Sequence, residues 1–255
     1  MTLPYRTLLV FLALSARPVL AQNAEEHVVL GDSAQAAFHS AEALKHFEAA
    51  IALEPRNADA LTKASRSAVD VGESESSAAQ KKEFFTLGAS YARRAVDANP
   101  NDAEAHFALA RALGRAALSV GVRDRVHYGV EVRDQALAAL RIAPSHPGAL
   151  HVLGMWNAEI MRLNGLQRFV AQNVLGGKIM SQANWKDAVS NLERAVEVDP
   201  DRLSHHLDLA KIYADVGDKA KARQQYEWVI GASRQTDVND PLYKRQAQEG
   251  LARLK

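Results

Sequence analysis

Residues 91–114 read YARRAVDANPNDAEAHFALARALG. An apolar-rich helical pattern runs into Asn99-Pro100, and a second amphipathic run begins within a few residues. Proline cannot continue a helix, and Asn or Asp beside it caps the next one, so the stretch predicts helix, tight turn, helix. The same punctuation recurs along the chain. HFEAAIALEP ends at Pro55, QALAALRIAP at Pro144 and NLERAVEVDP at Pro200, each followed by a fresh amphipathic run. Pro55, Pro100, Pro144 and Pro200 lie 45, 44 and 56 residues apart, the range of helix-pair repeats.

A 34-residue helix-pair template fits two stretches without a gap. In residues 24–57 it matches Leu30-Gly31, Ala43, Phe47, Ala50 and Pro55, and in residues 203–236 Leu209-Ala210, Tyr213, Gly217, Ala222 and Tyr226. Three units between them fit when the turn within each pair is lengthened, near 72–79, 119–128 and 165–183. Their second helices keep a small residue before proline (Ala95, Ala139, Ala195), and one first helix carries Leu153-Gly154. Small residues let two helix backbones approach, and large ones at the next turn fill the space left. One pair cannot bury its own apolar face, so pairs must stack. No β-type alternation competes. The expected fold is all-α: a right-handed, tetratricopeptide-like (TPR-like) α-solenoid of about five helix hairpins. These are expected at about 24–57, 58–100, 101–144, 145–200 and 201–236, within one repeat domain over 22–255. Residues 241–254 form a C-terminal capping helix.

Composition narrows the chemistry. Among 255 residues, 47% are apolar and 24% charged, with net charge +1 and no cysteine. Disulfides, thiolate metal sites and cysteine nucleophiles are excluded. No dense basic stripe with interleaved aromatics points to nucleic acid. At the N-terminus, Arg6 precedes the apolar run Thr7 to Ala16, and Arg17-Pro18 precede the small-residue box Val19-Leu20-Ala21. This reads as a signal peptide over residues 1–21, and the run is too short to span a bilayer. It places the chain in the periplasm or outside the cell.

Four blocks carry a more specific likeness: AVDANPNDAEAHFALARALG (95–114), ALRIAPSHPGALHVLGMW (139–156), the insert opening GLQRFVAQNVLGG (165–177), and WKDAVSNLERAVEVDP (185–200). Through them the stretch from about Tyr91 to about Ile230 resembles the regulator of microtubule dynamics protein family. The resemblance implies a TPR-like domain. Animal members add a membrane anchor, and in one, which tethers organelles, this domain binds phospholipid. A lipid or acidic ligand is therefore implied here. The chain departs from those members in carrying an export signal rather than a clear anchor, which points to an exported bacterial relative.

No motif carries catalysis. His-Glu-x-x-His, Gly-x-Ser-x-Gly and Ser-x-x-Lys patterns are absent, and Gly176-Gly177-Lys178 lacks the upstream glycines of a phosphate loop. Adjacent His205 and His206 point about 100° apart on a helix and chelate one metal poorly, so the histidines are expected at the surface or half-buried, without metal or cofactor. Glu73 and Glu75, in GESESS, read as solvated loop charges.

The groove lined by first helices is the candidate site, at Thr62, Arg66, Phe107, Arg111, Arg115, His151, Met155, Leu207 and Lys211. Arg66, Arg111, Arg115 and Lys211 would form a positive wall for a carboxylate or phosphate, or else be taken up in ion pairs with Glu104, Glu159 and Asp208. The 165–183 insert puts Leu166, Phe169, Val170, Val174 and Leu175 at helical spacing with Arg168 and Gln172 opposite. That amphipathic helix is expected to roof the groove as a lid, lie on a membrane surface, or pack on the solenoid edge. The expectation is a non-catalytic module that grips a protein or peptide partner, with phospholipid as the alternative ligand and peripheral membrane contact allowed.

Overall fold

The computed structural model describes residues 23–254. The expected signal peptide of residues 1–21 lies outside the described residues. Those residues form helices α1 (Ala24–Ala36), α2 (Ser40–Leu53), α3 (Ala58–Ser74), α4 (Ala78–Ala98), α5 (Ala103–Ala117) and α6 (Val122–Ile142). They continue as α7 (Pro147–Arg162), α8 (Gly165–Asn173), α9 (Trp185–Val198), α10 (Leu203–Asp215), α11 (Lys219–Gly231) and α12 (Asp240–Arg253). A short 3-10 helix, Lys178–Gln182, follows α8, and no strand occurs among the described residues.

Successive helices pair as α1/α2, α3/α4, α5/α6, α7/α9 and α10/α11, with α12 packed on α10 and α11. The first helices also touch each other directly, α3 with α5, α5 with α7, α7 with α10 and α10 with α12. That side-by-side stacking makes the inner wall of a TPR-like solenoid. The prolines lie in the turns between pairs. The turns are capped as the sequence suggests: Asn57 Oδ1 accepts from the Ala60 amide at 3.0 Å, and Asp102 Oδ1 from the Glu104 amide at 2.9 Å.

Two histidines add a staple. His106 Nε2 donates to the Pro100 carbonyl (2.9 Å) while Nδ1 meets Gln135 (2.5 Å). His206 repeats the arrangement with the Pro200 carbonyl (2.9 Å) and Gln225 (2.6 Å), and its ring stacks on Trp228. Six residues after Pro55 and Pro144 the position holds Leu61 and Leu150, both buried. The same slot is thus filled by an apolar side chain or by an imidazole that ties the turn to the second helix.

Alanines at the crossings, among them Ala64, Ala95, Ala105, Ala139 and Ala195, are fully buried. Gly154 marks the closest approach. A Cβ there would sit 1.8 Å from Leu192 Cδ2 and 3.1 Å from the Ala188 carbonyl oxygen. Leu192 is itself fully buried, so its side chain or α9 has to shift to admit even a methyl group. Gly154→Ala is expected to destabilise the fold by about 1–3 kcal/mol, measured by urea denaturation. An unchanged midpoint would show that α7 and α9 are not in this contact.

Candidate functional site

Near the C-terminal end of α3, the sequence DVGES places Asp70 and Glu73 on one face, three residues apart. Both are buried, at 2% and 7% side-chain exposure. From α5, Arg111 Nη2 donates to Asp70 Oδ1 at 2.6 Å and to Glu73 Oε1 at 3.3 Å. One turn on, Arg115 Nε lies 2.8 Å from the same Glu73 oxygen. The other oxygen of Glu73 accepts from α12 and the turn before it: Asn239 Nδ2 at 3.1 Å and the Tyr243 hydroxyl at 2.9 Å. On the far side, Gln35 of α1 donates to Asp70 Oδ2 and accepts from Ser67. One polar cluster therefore joins α1, α3, α5 and α12, and a residue 170 positions further on closes on α3.

Burial alone would raise the Glu73 carboxyl. Arg115, then Arg111 and the Tyr243 hydroxyl outweigh it and hold the carboxyl at about 2. Burial, and then Glu73 itself, push the Tyr243 hydroxyl well above its ordinary value, so it remains a donor. Arg111 is raised further still against the pull of its own burial, because Asp70 and Glu73 face it.

A second cluster sits on α10. Asp208 is opposed by burial yet held well below the usual carboxylate range by Lys211 (2.8 Å) and His151 (3.2 Å). Lys211 also reaches Gln246 of α12 at 3.1 Å. His151 Nδ1 meets His205 Nδ1 at 2.8 Å. Burial first, then His151 and Arg202, push the His205 imidazole down to about 2.

Between the two clusters opens a cleft of about 350 Å³ bounded by α4, α5, α10 and α12. Phe85, Leu118, Leu207 and Leu242 supply its apolar surface, and Lys81, Arg115 and Lys211 its cations. Of the residues expected in the groove, the structure brings Arg115, Leu207 and Lys211 into this cleft, with Arg111 just behind it and His151 across Asp208. The others lie elsewhere. The Thr62 hydroxyl turns back to the Ala58 carbonyl, and Arg66 is exposed away from any ion pair within bonding distance among the described residues. Phe107 packs on His146, and Met155 rests against the core between α7 and α10.

Several expectations are corrected. Arg111, Arg115 and Lys211 do not form a bare positive wall, since Asp70, Glu73 and Asp208 stand against them. Of the anticipated partners only Asp208 serves. Glu104 pairs with His146, and Glu159 with Arg162. Glu73 is a buried helical residue rather than a solvated loop charge, because α3 runs through GES to Ser74. His106, His205 and His206 are buried rather than superficial.

The insert is turned the other way. Arg168 points inward and caps α7, donating to the carbonyls of Met161 (2.9 Å) and Leu163 (3.0 Å). Leu166, Phe169 and Val174 are the exposed residues, at 74%, 58% and 66%, while Leu175 is half-buried. The Arg168 guanidinium thereby satisfies carbonyls that the end of α7 leaves open. Ala171 and Met180 seat the insert on Val126 and Trp156, and no residue of 165–183 lines the cleft, so it does not roof it. Among the described residues no helix is long and apolar enough to cross a membrane, and no group of three His, Asp or Glu is placed to hold a metal ion.

The family model for regulator of microtubule dynamics protein 1-3 matches residues 31–255. The chain belongs to this family. It is 24% identical over 171 residues to regulator of microtubule dynamics protein 1 of Bos taurus, covering 66% of this chain and 53% of that protein. It is 24% identical over 194 residues to protein 3 of the same organism, covering 75% and 40%. The chain thus spans about half, or less, of the length of these family members. Among solved structures it is similar to TTC0263, a thermophilic TPR protein of Thermus thermophilus. The TM-score is 0.60 and the identity 18%, over 89% of this chain and 99% of that one. That likeness shows the TPR-like fold.

Glu73 and His205 both contribute to the response of this family member to acid. Glu73, ordinarily near 4.5 and held at about 2, binds fewer protons folded than unfolded between those values. Its contribution is complete above pH 4.5 and fades as pH falls towards 2. His205, ordinarily near 6.5 and held at about 2, also resists protonation only in the fold. Stability therefore begins to fall below pH 6.5, at up to about 1.4 kcal/mol per pH unit from this group. Urea midpoints from pH 7 to 5 are expected to drop in the wild type and to stay flatter in His205→Gln. An equal slope in both would exclude His205 as the source.

Proposed function

We propose that this chain is a non-catalytic binding module, exported from the cytoplasm, that engages a protein or peptide partner. The observation that carries the reading is the cleft between α4, α5, α10 and α12. It is the place on the inner wall where apolar side chains and partly exposed cations meet, and α12 leaves it open while closing the wall beside it. Stacked helix pairs present such inner surfaces to partners. The charged clusters around the cleft are already hydrogen-bonded to one another, which suits a rigid recognition surface better than acid–base chemistry. Export rests on the N-terminal signal pattern alone.

Leu118 stands at the cleft rim, 60% exposed, where a charge costs the fold little. Peptides selected by the wild-type protein from a displayed random library are expected to bind Leu118→Asp about tenfold or more weakly, read by fluorescence anisotropy. A library that yields no binders, or binders indifferent to Leu118→Asp, overturns the reading.

The exposed ridge of α8 favours a second reading, peripheral contact with a phospholipid surface. Leu166, Phe169 and Val174 present apolar surface, though within the 165–183 insert Lys178 is the cation not turned inward. The electrostatic pull is therefore weak, and apolar insertion has to dominate. Flotation with anionic vesicles is expected to carry the protein and to lose it in Phe169→Asp. Equal flotation of both, or of neither, sinks this reading.

A further inference from the structure

Lys81, in the first turns of α4, is half-buried and lines the cleft, yet no acceptor or carboxylate pairs with it among the described residues. Its neighbours across the cleft are only partly used. Arg115 engages Glu73 through Nε, and its terminal nitrogens meet no acceptor among the described residues. Lys211 donates to Asp208 and Gln246, leaving one of its three N–H groups free. Glu73 and Asp208, the two carboxylates lining the cleft, do not neutralise these cations fully. Glu73 is shared with Arg111, Asn239 and Tyr243, and Asp208 with His151. Three cations thus face two carboxylates that already have other partners, and one positive charge is left without a counter-charge.

The surroundings define what would supply it. Phe85, Leu118, Leu207 and Leu242 form apolar walls beside the cations, and Ser119, Ser204 and Gln246 add hydrogen-bonding groups. A cleft of about 350 Å³ accommodates one or two residues of a chain. We propose that it receives the free C-terminal carboxylate of a partner protein ending in an apolar residue. Lys81 and the free nitrogens of Arg115 and Lys211 take the carboxylate, and the last side chain lies on Leu118 and Leu242, with Leu207 buried beneath them. Charge-assisted hydrogen bonds to a carboxylate are the stronger kind, and partial burial spares them from screening. The serines and Gln246 are suited to the peptide groups that precede the terminus, which an acyl chain lacks.

This assignment rests on the reading of the chain as a binding module and is separable from it. Acetylated five-residue peptides ending in leucine or phenylalanine, each made as free acid and as carboxamide, are titrated into the isotope-labelled protein. The free acids are expected to shift the amide resonances of Leu118, Ser119, Leu242 and Gln246, and to bind at least about tenfold more tightly than the carboxamides. Lys81→Met, which removes no existing ion pair, is expected to keep the thermal midpoint and to narrow the gap between acid and carboxamide. Equal binding of acid and carboxamide at these residues overturns the carboxylate assignment while leaving the binding module intact. Absence of any shift at them overturns the assignment too, and the library selection then decides the module separately. Octanoate binding at the same residues more tightly than the peptides overturns the peptidic assignment.

Discussion

Glu73 accepts hydrogen bonds or ion pairs from Arg111, Arg115, Asn239 and Tyr243, and so from both an early and the final part of the solenoid. Stacked helix pairs otherwise touch only their neighbours, and an array held by neighbours alone can open at any junction. A carboxylate at 7% exposure with four donors favours this closure, because without α12 the Glu73 oxygen that faces Asn239 and Tyr243 loses both of its donors. The inner wall is therefore a defined surface. The shape of the cleft depends on this, since Leu242 and Gln246 reach it only when α12 is docked.

The same closure explains the division of the inner wall. Where α12 meets α3 and α5, charges are consumed and the surface is sealed. Where α12 crosses towards α10, Lys211 and Arg115 retain free donors and Lys81 has no partner among the described residues. Arg115 and Glu73 thus belong both to the closure and to the lining of the cleft. The histidines serve a different purpose. His106 and His206 tie proline turns to second helices, while burial keeps His205 neutral beside His151.

Much of the architecture was legible in the chain. Proline after an apolar-rich run, Asn or Asp at the next helix start, and small residues at fixed offsets are local rules, and each acts within a few residues of itself. They suffice for helices and for their stacking, since an amphipathic helix pair has nowhere else to put its apolar face. Arg115, Leu207 and Lys211 were legible as inner-wall residues for the same reason, because helical periodicity sets the face on which a side chain lies. The likeness of residues 91–230 to a known family was readable from four blocks of sequence, and the family follows from the chain itself.

The function of each polar side chain was decided elsewhere. Glu73 sits in a Ser-rich stretch that looks like a solvated turn, and only Arg111 and Arg115 from α5, with Tyr243 of α12 some 170 residues later, make it a buried acceptor. Arg168 looked like the wet side of an amphipathic helix until the open carbonyls at the end of α7 drew it inward and turned Phe169 to solvent. Periodicity ranks faces of a helix but does not say which neighbour each face meets, and hydrogen bonds and ion pairs are short-ranged, so their partners exist only once the chain has closed. Sequence by itself determined helices, their stacking and the family. The tertiary structure alone determined which charges are spent on closure and which remain free in the cleft.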